Sequence, residues 1–230
     1  MNRILLKLSG EALAGTGTSF DDEVILRIAG QVRQLISEEM QVSIVIGGGN
    51  FWRGRTGTTI DRCKSDSIGM MATVMNCIYV SEVFRSAGLK TKIFTPFAVG
   101  TFTELFSKDA AMRALKHGHV CFFVGGTGHP YFSTDTGCVL RALEIEADGI
   151  LLAKAVDGIY DSDPKKNPAA VKYDEITWQK VVDERLQALD LTASIMAMEN
   201  KLPAFIFALD TPDGIVKAAH GENVGTKILI

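Results

Sequence analysis

Short apolar runs alternate with longer amphipathic stretches along most of the chain. The runs are rich in Val, Ile and Phe and are bounded by polar or glycine residues, as expected for buried strands. In the longer stretches, apolar residues recur at the spacing of one helix face. The pattern predicts strands at residues 4–8, 42–46, 91–95, 120–124, 150–153, 204–208 and 226–229, and helices at residues 23–38, 66–87, 103–116, 136–147, 178–184, 191–200 and 213–219.

The alternation of strand and helix predicts parallel pairing, because each helix returns the chain to the same end of the sheet through a right-handed crossover. We therefore expect an α/β fold, a three-layer αβα sandwich with a mainly parallel central sheet, formed by residues 1–230 as a single domain. In such sheets, ligands bind beyond the carboxyl ends of the strands. The polar stretch 157–174 is long for a connection and predicts a functional surface loop.

Composition narrows the class of protein. The 230 residues are 47% hydrophobic, enough for a sizeable core, and their net charge of −3 lacks the basic excess typical of nucleic-acid binding. Four cysteines without a Cys-x-x-Cys pair predict buried thiols in a reducing cytosol rather than a zinc site or disulfides. Lys7 interrupts the apolar run after Arg3, so we expect no signal peptide. No apolar run approaches the roughly 18 residues that a membrane-spanning helix needs. These features predict a cytoplasmic protein that binds neither nucleic acid nor membrane.

Three predicted strands end in segments suited to anions. The first ends in Lys7, followed by Ser9-Gly10, and the second runs directly into Gly47-Gly48-Gly49-Asn50 with Arg53 beyond it. The fourth is followed by the glycine-rich stretch 125–135. Glycines lack a Cβ atom, so they admit positive φ angles and let backbone N–H groups approach a phosphate. The predicted edge of the sheet therefore offers a site for two phosphorylated groups.

Missing motifs limit the chemistry. The chain contains no Gly-x-x-x-x-Gly-Lys-Ser/Thr, no Gly-x-Gly-x-x-Gly and no Gly-x-Ser-x-Gly, which disfavours P-loop NTPases, Rossmann dehydrogenases and α/β-hydrolases. Phosphoryl transfer without a P-loop remains, since it requires cations along the phosphates and an acceptor oxygen held in line. Lys7, Arg53 and Lys154, which ends a further strand, are the candidate cations. We expect no important general base, because a phosphate oxygen is already a nucleophile.

Several segments resemble the amino acid kinase superfamily, namely residues 7–11 (KLSGE), 45–50 (VIGGGN), 126–128 (GTG) and 156–160 (VDGIY). The resemblance covers essentially the whole chain, and within the superfamily it points to the bacterial uridylate (UMP) kinases through Arg53-Gly54, Asp66, residues 69–76 (GMMATVMN) and residues 131–135 (YFSTD). It implies Mg²⁺-dependent transfer of the ATP γ-phosphoryl group to UMP in pyrimidine nucleotide biosynthesis, by a cytoplasmic homohexamer.

The resemblance also implies roles for individual residues. Those expected in catalysis are Lys7, Arg53, Asp135 and Asp190. Those expected to bind ATP are Lys7, Leu8, Ser9, Gly10, Gly49 and Arg53 at the phosphates, and Lys154, Tyr160 and Asp163 at the nucleoside. Those expected to bind UMP are Gly48, Asp66, Thr127, Gly128, His129, Pro130, Tyr131, Phe132, Ser133 and Thr134. No residue is assigned as a direct metal ligand.

The three carboxylates have alternative explanations that the residues alone leave open. Asp66 suits the ribose of UMP, but it also suits the start of a helix, where the dipole favours a carboxylate. Asp135 either orients Lys7, binds the metal through water or begins a helix. Asp190 either acts in catalysis or caps the helix that follows it.

The chain departs from the family pattern in three places. His129 stands where Asn is usual, Lys154-Ala155 replaces a Thr-Lys or Thr-Asn pair, and the loop at residues 14–20 is short. Family members are often inhibited by UTP and activated by GTP through a region near this loop, so both responses stay open for this chain.

Two rival hypotheses also remain. One keeps the fold but phosphorylates a carboxylate or an alkyl phosphate, as acetylglutamate, glutamate and isopentenyl phosphate kinases do; the other is a nucleotide-binding regulatory protein without turnover.

Overall fold

The computed structural model describes residues 1–14, 20–52, 59–164 and 166–230. Its strands are β1 (Arg3–Leu8), β2 (Gln41–Ile46), β3 (Lys90–Thr95), β4 (Glu104–Leu105), β5 (His119–Phe123), β6 (Gly149–Lys154), β7 (Ile159–Tyr160), β8 (Lys172–Tyr173), β9 (Glu175–Thr177), β10 (Ala204–Ala208) and β11 (Gly225–Leu229). Its helices are α1 (Asp22–Ser37), α2 (Arg62–Ser86), α3 (Lys108–Lys116), α4 (Thr134–Glu144), α5 (Trp178–Asp183), α6 (Leu191–Glu199) and α7 (Gly214–His220), and a one-turn 3₁₀ helix (Glu11–Leu13) follows β1.

The central sheet has nine strands in the order β4-β3-β5-β2-β1-β6-β10-β11-β9. Its pairings are parallel except for β10 with β11, which is antiparallel. In the middle of the sheet, Lys7 of β1 lies in register with Val45 of β2 and Leu152 of β6. The predicted mainly parallel α/β sheet is therefore confirmed.

Alternation along β1 divides the core between the two faces of the sheet. Ile4, Leu6 and Leu8 pack in the cluster that contains the apolar residues of α1, α2 and α7. Leu5 belongs to the opposite cluster, which contains those of α3, α4, α5 and α6. Because Lys7 lies two residues after Leu5, its side chain points into this second layer, at the carboxyl end of the strand. The helices thus cover both faces, as the predicted three-layer sandwich requires.

The helix predicted at residues 103–116 is shorter in the structure. It begins at Lys108, where Ser107 caps it by accepting a hydrogen bond from the Ala110 N–H at 3.1 Å. The preceding strand β4 pairs with the end of β3 instead. This pairing links residues that are distant in the chain, so the local apolar spacing could not reveal it.

Helix α2 differs from the expectation that no segment is long and apolar enough to cross a membrane. It is the one helix in the described ranges that passes this test by length and composition, with a mean hydropathy of 1.3 over 18 residues. Of that window, 44% is buried inside the fold, against the sheet and α1. A core helix passes the same test, so the finding is weak evidence for a membrane segment.

Candidate active site

The carboxyl ends of β5, β2, β1 and β6 lie side by side in the middle of the sheet. A main cleft of about 870 Å³ opens beyond them, with a second cavity of about 550 Å³ and a third of about 470 Å³ next to it. Gln187 lines all three, so the cavities follow one another along one edge. The predicted site residues that line the main cleft are Lys7, Ser9, Gly10, Gly48, Gly49, Asp66, Thr127, His129, Phe132, Ser133, Thr134, Asp135, Lys154 and Asp190.

An ion pair between Lys7 and Asp135 lies at the centre of this edge. The two side chains are only 15% and 22% exposed. Burial alone would lower the pKa of Lys7, but the charge and hydrogen bond of Asp135 outweigh it and raise that pKa above 10.5. Burial alone would raise the pKa of Asp135, but the charge and hydrogen bond of Lys7 outweigh it and lower that pKa below 3.8. Both groups are therefore charged over the whole physiological range, and Asp135 holds the Lys7 ammonium in place.

Asp190 joins the first turns of two helices beside this pair. Its carboxylate caps α6 by accepting the Ala193 N–H at 2.9 Å, and it accepts hydrogen bonds from the hydroxyls of Ser133, the N-cap of α4, and Thr136 in its first turn. Its backbone N–H donates to Asp135 at 3.2 Å. Asp190 therefore caps α6, as one of its two sequence-based explanations proposed. Its backbone N–H also fixes the position of Asp135.

Within the glycine triplet, Gly48 is required for close packing rather than for an unusual backbone angle. Positive φ angles occur in the later loop, at Gly125, Gly126 and Gly128, but at none of Gly47, Gly48 and Gly49. A Cβ atom on Gly48 would lie 2.8 Å from the Gly69 carbonyl oxygen and 2.9 Å from the Ala72 methyl group. The positive φ angles expected from the sequence therefore occur in the 125–128 loop. Gly48 is needed for a different reason, because α2 touches the backbone there.

Helix α2 holds both glycine-rich loops in place, through side chains of the stretches 45–50 and 69–76 to which the sequence analysis assigned no individual role. The amides of Asn50 and Asn76 exchange hydrogen bonds of 2.9 and 2.8 Å, and Asn76 also donates to the Gly47 carbonyl at 2.7 Å. Thr73, one turn earlier, accepts the Gly125 N–H at 2.8 Å. Polar residues on an otherwise apolar helix face were the sequence signal that could have indicated these contacts.

Asp66 faces the other end of the main cleft. The structure begins α2 at Arg62 and caps it with Asp61, so a helix-start role does not explain Asp66. Its carboxylate, 13% exposed, accepts the Arg62 Nε–H at 2.9 Å and the Tyr131 backbone N–H at 2.8 Å. The Arg62 guanidinium also stacks over the Tyr131 ring at 5.3 Å. Arg62 was missed from sequence, although its spacing of four residues from Asp66 is typical of a helical ion pair.

Lys154 is separated from Tyr160 and Asp163, the two residues with which the family resemblance grouped it. Tyr160 and Asp163 line the third cavity, where the Tyr160 hydroxyl donates to Asp157 at 2.7 Å. Lys154 lines the main cleft and the second cavity instead, and its ammonium donates to the Ala188 carbonyl. Burial, with repulsion from Lys7, lowers the pKa of Lys154 to about 8.

A few predicted residues do not line these cavities. Leu8 is fully buried in the core, and its carbonyl accepts the Gly47 N–H at 3.0 Å, so it contributes to the sheet beneath the site. Gly128, Pro130 and Tyr131 lie in the loop that forms the wall of the main cleft. Arg53 lies outside the described residues.

The described residues contain no group of three His, Cys, Asp or Glu side chains that could hold a metal ion. Asp135 and Asp190, two carboxylates that line the main cleft, are engaged by Lys7, Ser133 and Thr136. Mg²⁺ commonly binds through substrate phosphates and waters with few protein ligands. A magnesium ion bound mainly through the phosphates of a nucleotide would need few protein ligands at this edge.

A sheet edge with two glycine-rich loops and a buried lysine, but no P-loop, defines a class of phosphoryl-transfer folds. The sequence matches the amino acid kinase family over residues 2–208, and the chain belongs to that family. A UMP kinase from Bacillus anthracis has a structure similar to this one, with a TM-score of 0.94 and 36% identity over 99% of this chain and 96% of that one. A UMP kinase from Ureaplasma parvum has a TM-score of 0.93 and 35% identity, over 99% and 98%. The uridylate kinase from Archaeoglobus fulgidus has a TM-score of 0.74 and 28% identity, over 98% and 99%.

Proposed function

We propose that this chain is a UMP kinase that transfers the γ-phosphoryl group of ATP to UMP, giving UDP and ADP in pyrimidine nucleotide biosynthesis. The observation that carries the proposal is the paired Lys7 and Asp135, which line the main cleft at its junction with the second cavity. Family membership and the solved UMP kinases of similar structure support the same reaction.

Catalysis in this proposal depends on position and charge. ATP would extend from the third cavity, at Tyr160 and Asp163, toward Lys7, and UMP would occupy the main cleft. The Lys7 ammonium would stabilise charge that develops on the transferred phosphoryl group, because Asp135 holds it there before the ligands bind. A UMP phosphate oxygen attacks directly, so no side chain has to remove a proton.

The proposed donor contacts at the phosphates are Ser9, Gly10, Gly49 and Arg53, with Leu8 supporting them from the core. The proposed acceptor contacts are Gly48 and Asp66 together with residues 127–134. Asp66 supports a nucleotide acceptor, since a carboxylate accepts hydrogen bonds from ribose hydroxyls. Mg²⁺ would bind with the ATP phosphates, and when bound it would supply further neutralising charge there.

The assembly is proposed to be a homohexamer. Helix α2 exposes apolar side chains that are costly to leave in water, and they support self-association. They are Ile68, Met71, Met75, Ile78 and Tyr79. Light scattering on the purified chain would measure the assembly, and a monomer at micromolar concentration would contradict it. Inhibition by UTP and activation by GTP belong to the proposal as well, and residues 15–19 of the loop that bears on them (residues 14–20) lie outside the described residues.

A coupled assay with MgATP and a panel of UMP, CMP, dTMP and AMP tests the reaction. We expect a clear preference for UMP, and its absence would refute the proposal. Acetylglutamate, glutamate and isopentenyl phosphate should be added as acceptors, because the alternative enzymes of this fold use them. A chain that binds UMP tightly but turns over no acceptor would be a regulatory protein instead.

A further inference from the structure

We infer that Lys154 binds the phosphate chain of the donor nucleotide as a second catalytic cation beside Lys7, rather than contacting the nucleoside. The inference rests on the proposed function and assigns Lys154 a different part of the same ligand. It starts from the separation of cavities described above, since Lys154 borders the two cavities that also contain Asp135 and Asp190, whereas Tyr160 and Asp163 border the third.

Register in the sheet places the two lysines on one face. Lys7 of β1 pairs with Leu152 of β6, and Lys154 follows Leu152 by two residues. Alternation therefore directs both side chains into the layer that contains α4 and α6, with Lys154 one step nearer the carboxyl end. A polyphosphate lying along this edge would meet both ammonium groups in succession.

The ammonium of Lys154 has no carboxylate partner among the described residues. Asp135 pairs with Lys7, and the oxygens of Asp190 accept from Ser133, Thr136 and Ala193. The contact found for Lys154 is a hydrogen bond to the Ala188 carbonyl, which uses one of its three N–H donors. A partly buried ammonium of this kind is stabilised by an anion, and the donor phosphates are the anions that the proposed reaction brings to this edge.

The environment of Lys154 also makes its charge responsive to the ligand. It faces Lys7 from β1, Asp135 from α4, and Asp190 and Arg185 from the segments beside α6 and α5, while its neighbour on β10 is the uncharged Ala208. Burial and the charge of Lys7 leave the pKa of Lys154 at about 8. A bound polyphosphate would raise that pKa, so donor binding near pH 8 should take up a proton.

The test titrates AMP, ADP and a non-hydrolysable ATP analogue, each with Mg²⁺, into the wild type, Lys154→Met and Lys154→Arg by calorimetry. We expect Lys154→Met to weaken the analogue about 10- to 100-fold, as for other hydrogen bonds to charged groups, with a smaller effect on ADP and about twofold or less on AMP. Equal weakening of all three ligands would show a nucleoside contact and overturn the inference. Lys116→Met, at an exposed lysine on α3, is the matched control and should change none of the affinities.

Repeating the titration at pH 8 in two buffers of different ionisation enthalpy measures proton uptake. The wild type should take up about half a proton on binding the analogue, because a group with a pKa of about 8 is half protonated there. Lys154→Arg keeps the charge but cannot titrate, so it should take up none, and this readout remains if Lys154→Met does not fold. Equal uptake by the wild type and Lys154→Arg would overturn the inference.

The outcomes separate the two proposals. If the wild type phosphorylates UMP and Lys154→Met retains its affinity for the analogue, the inference fails and the proposed function stands. If the loss grows with the number of phosphates but UMP is not phosphorylated, the inference stands and the proposed acceptor fails. A wild type that binds no adenine nucleotide overturns both.

Discussion

The two ends of the main cleft are built differently. The strand-end cluster (Lys7, Asp135, Lys154 and Asp190) consists of partly buried charges at the carboxyl ends of β1 and β6 and the first turns of α4 and α6. The acceptor end (Arg62, Asp66, His129, Tyr131 and Phe132) combines one partly exposed ion pair with exposed loop side chains. Tyr131 is 66% and Phe132 51% exposed.

The difference corresponds to what each end has to do in the proposed reaction. Charge stabilisation is effective when the groups are fixed before the ligand arrives, and rigid strands and helix ends provide that. Recognition of a base tolerates looser side chains, because part of the contact surface forms when the ligand binds. Substitutions at the strand-end cluster should therefore reduce turnover, whereas substitutions at the acceptor end should reduce affinity and selectivity.

The largest effect is expected at Lys7. Lys7→Met should lower kcat by about 10²- to 10³-fold or more, since it removes a fixed cation from the reacting phosphoryl group. UMP affinity, measured by calorimetry, should change little because Lys7 lies away from Asp66. The surface variant Lys116→Met should retain full activity in the same coupled assay. A Lys7→Met enzyme with near-normal kcat would show that the centre of the cleft lies elsewhere.

Asp135 should have the next largest effect. Asp135→Asn leaves Lys7 without its partner, and misplacing a catalytic group by a fraction of an ångström can cost up to about 10²-fold in kcat. The variant should also change how stability depends on pH. The lowered pKa of Asp135 means that its contribution to the free energy of unfolding is present above pH 3.8 and is lost as the pH falls below that value.

Urea unfolding of the wild type and Asp135→Asn between pH 3 and pH 7 measures this dependence. The stability difference between them should be largest near neutral pH and should shrink toward pH 3. The raised pKa of Lys7 implies the complementary loss above pH 10.5. A stability difference that is constant with pH would show that the two side chains are not coupled.

Much of this arrangement could be predicted from the sequence, because it depends on local patterns. Alternating apolar runs predicted the seven longer strands, and Lys7 with the following glycines indicated the functional edge. Asp135 and Asp190 were also selected, although only the structure shows that they are linked by a hydrogen bond from the Asp190 N–H at 3.2 Å.

The features that were missed depend on contacts between distant parts of the chain. Strand β4 exists because it pairs with β3, and Asn76 reaches a loop 26 residues earlier. The grouping of Lys154 with Tyr160 was implied by the family resemblance, but β6 ends at Lys154 and the chain continues into a different cavity. Neither periodicity nor spacing carries such information.

Asp66 provides the main test at the acceptor end. Asp66→Asn should raise the KM for UMP about tenfold or more with a smaller change in kcat, because it weakens charge-assisted hydrogen bonds to the ribose. Asp109→Asn, which neutralises an exposed carboxylate in the first turn of α3, should leave KM unchanged. If the KM for UMP is unaffected in Asp66→Asn, an acceptor without a ribose becomes the better hypothesis.

The smallest effect is expected at His129. The His129 side chain is exposed, and its backbone N–H donates to the hydroxyl of Thr127 in the same loop at 3.3 Å rather than to a core residue. A hydrogen bond from such a side chain to the base competes with water, so His129→Ala should change the ratio of kcat/KM for UMP over CMP by about two- to threefold. His129→Asn should restore the ratio, because an amide can also donate and accept. If His129→Ala instead abolishes discrimination between UMP and CMP, base recognition is as firmly built as the strand-end cluster, and the contrast between the two ends of the cleft does not hold.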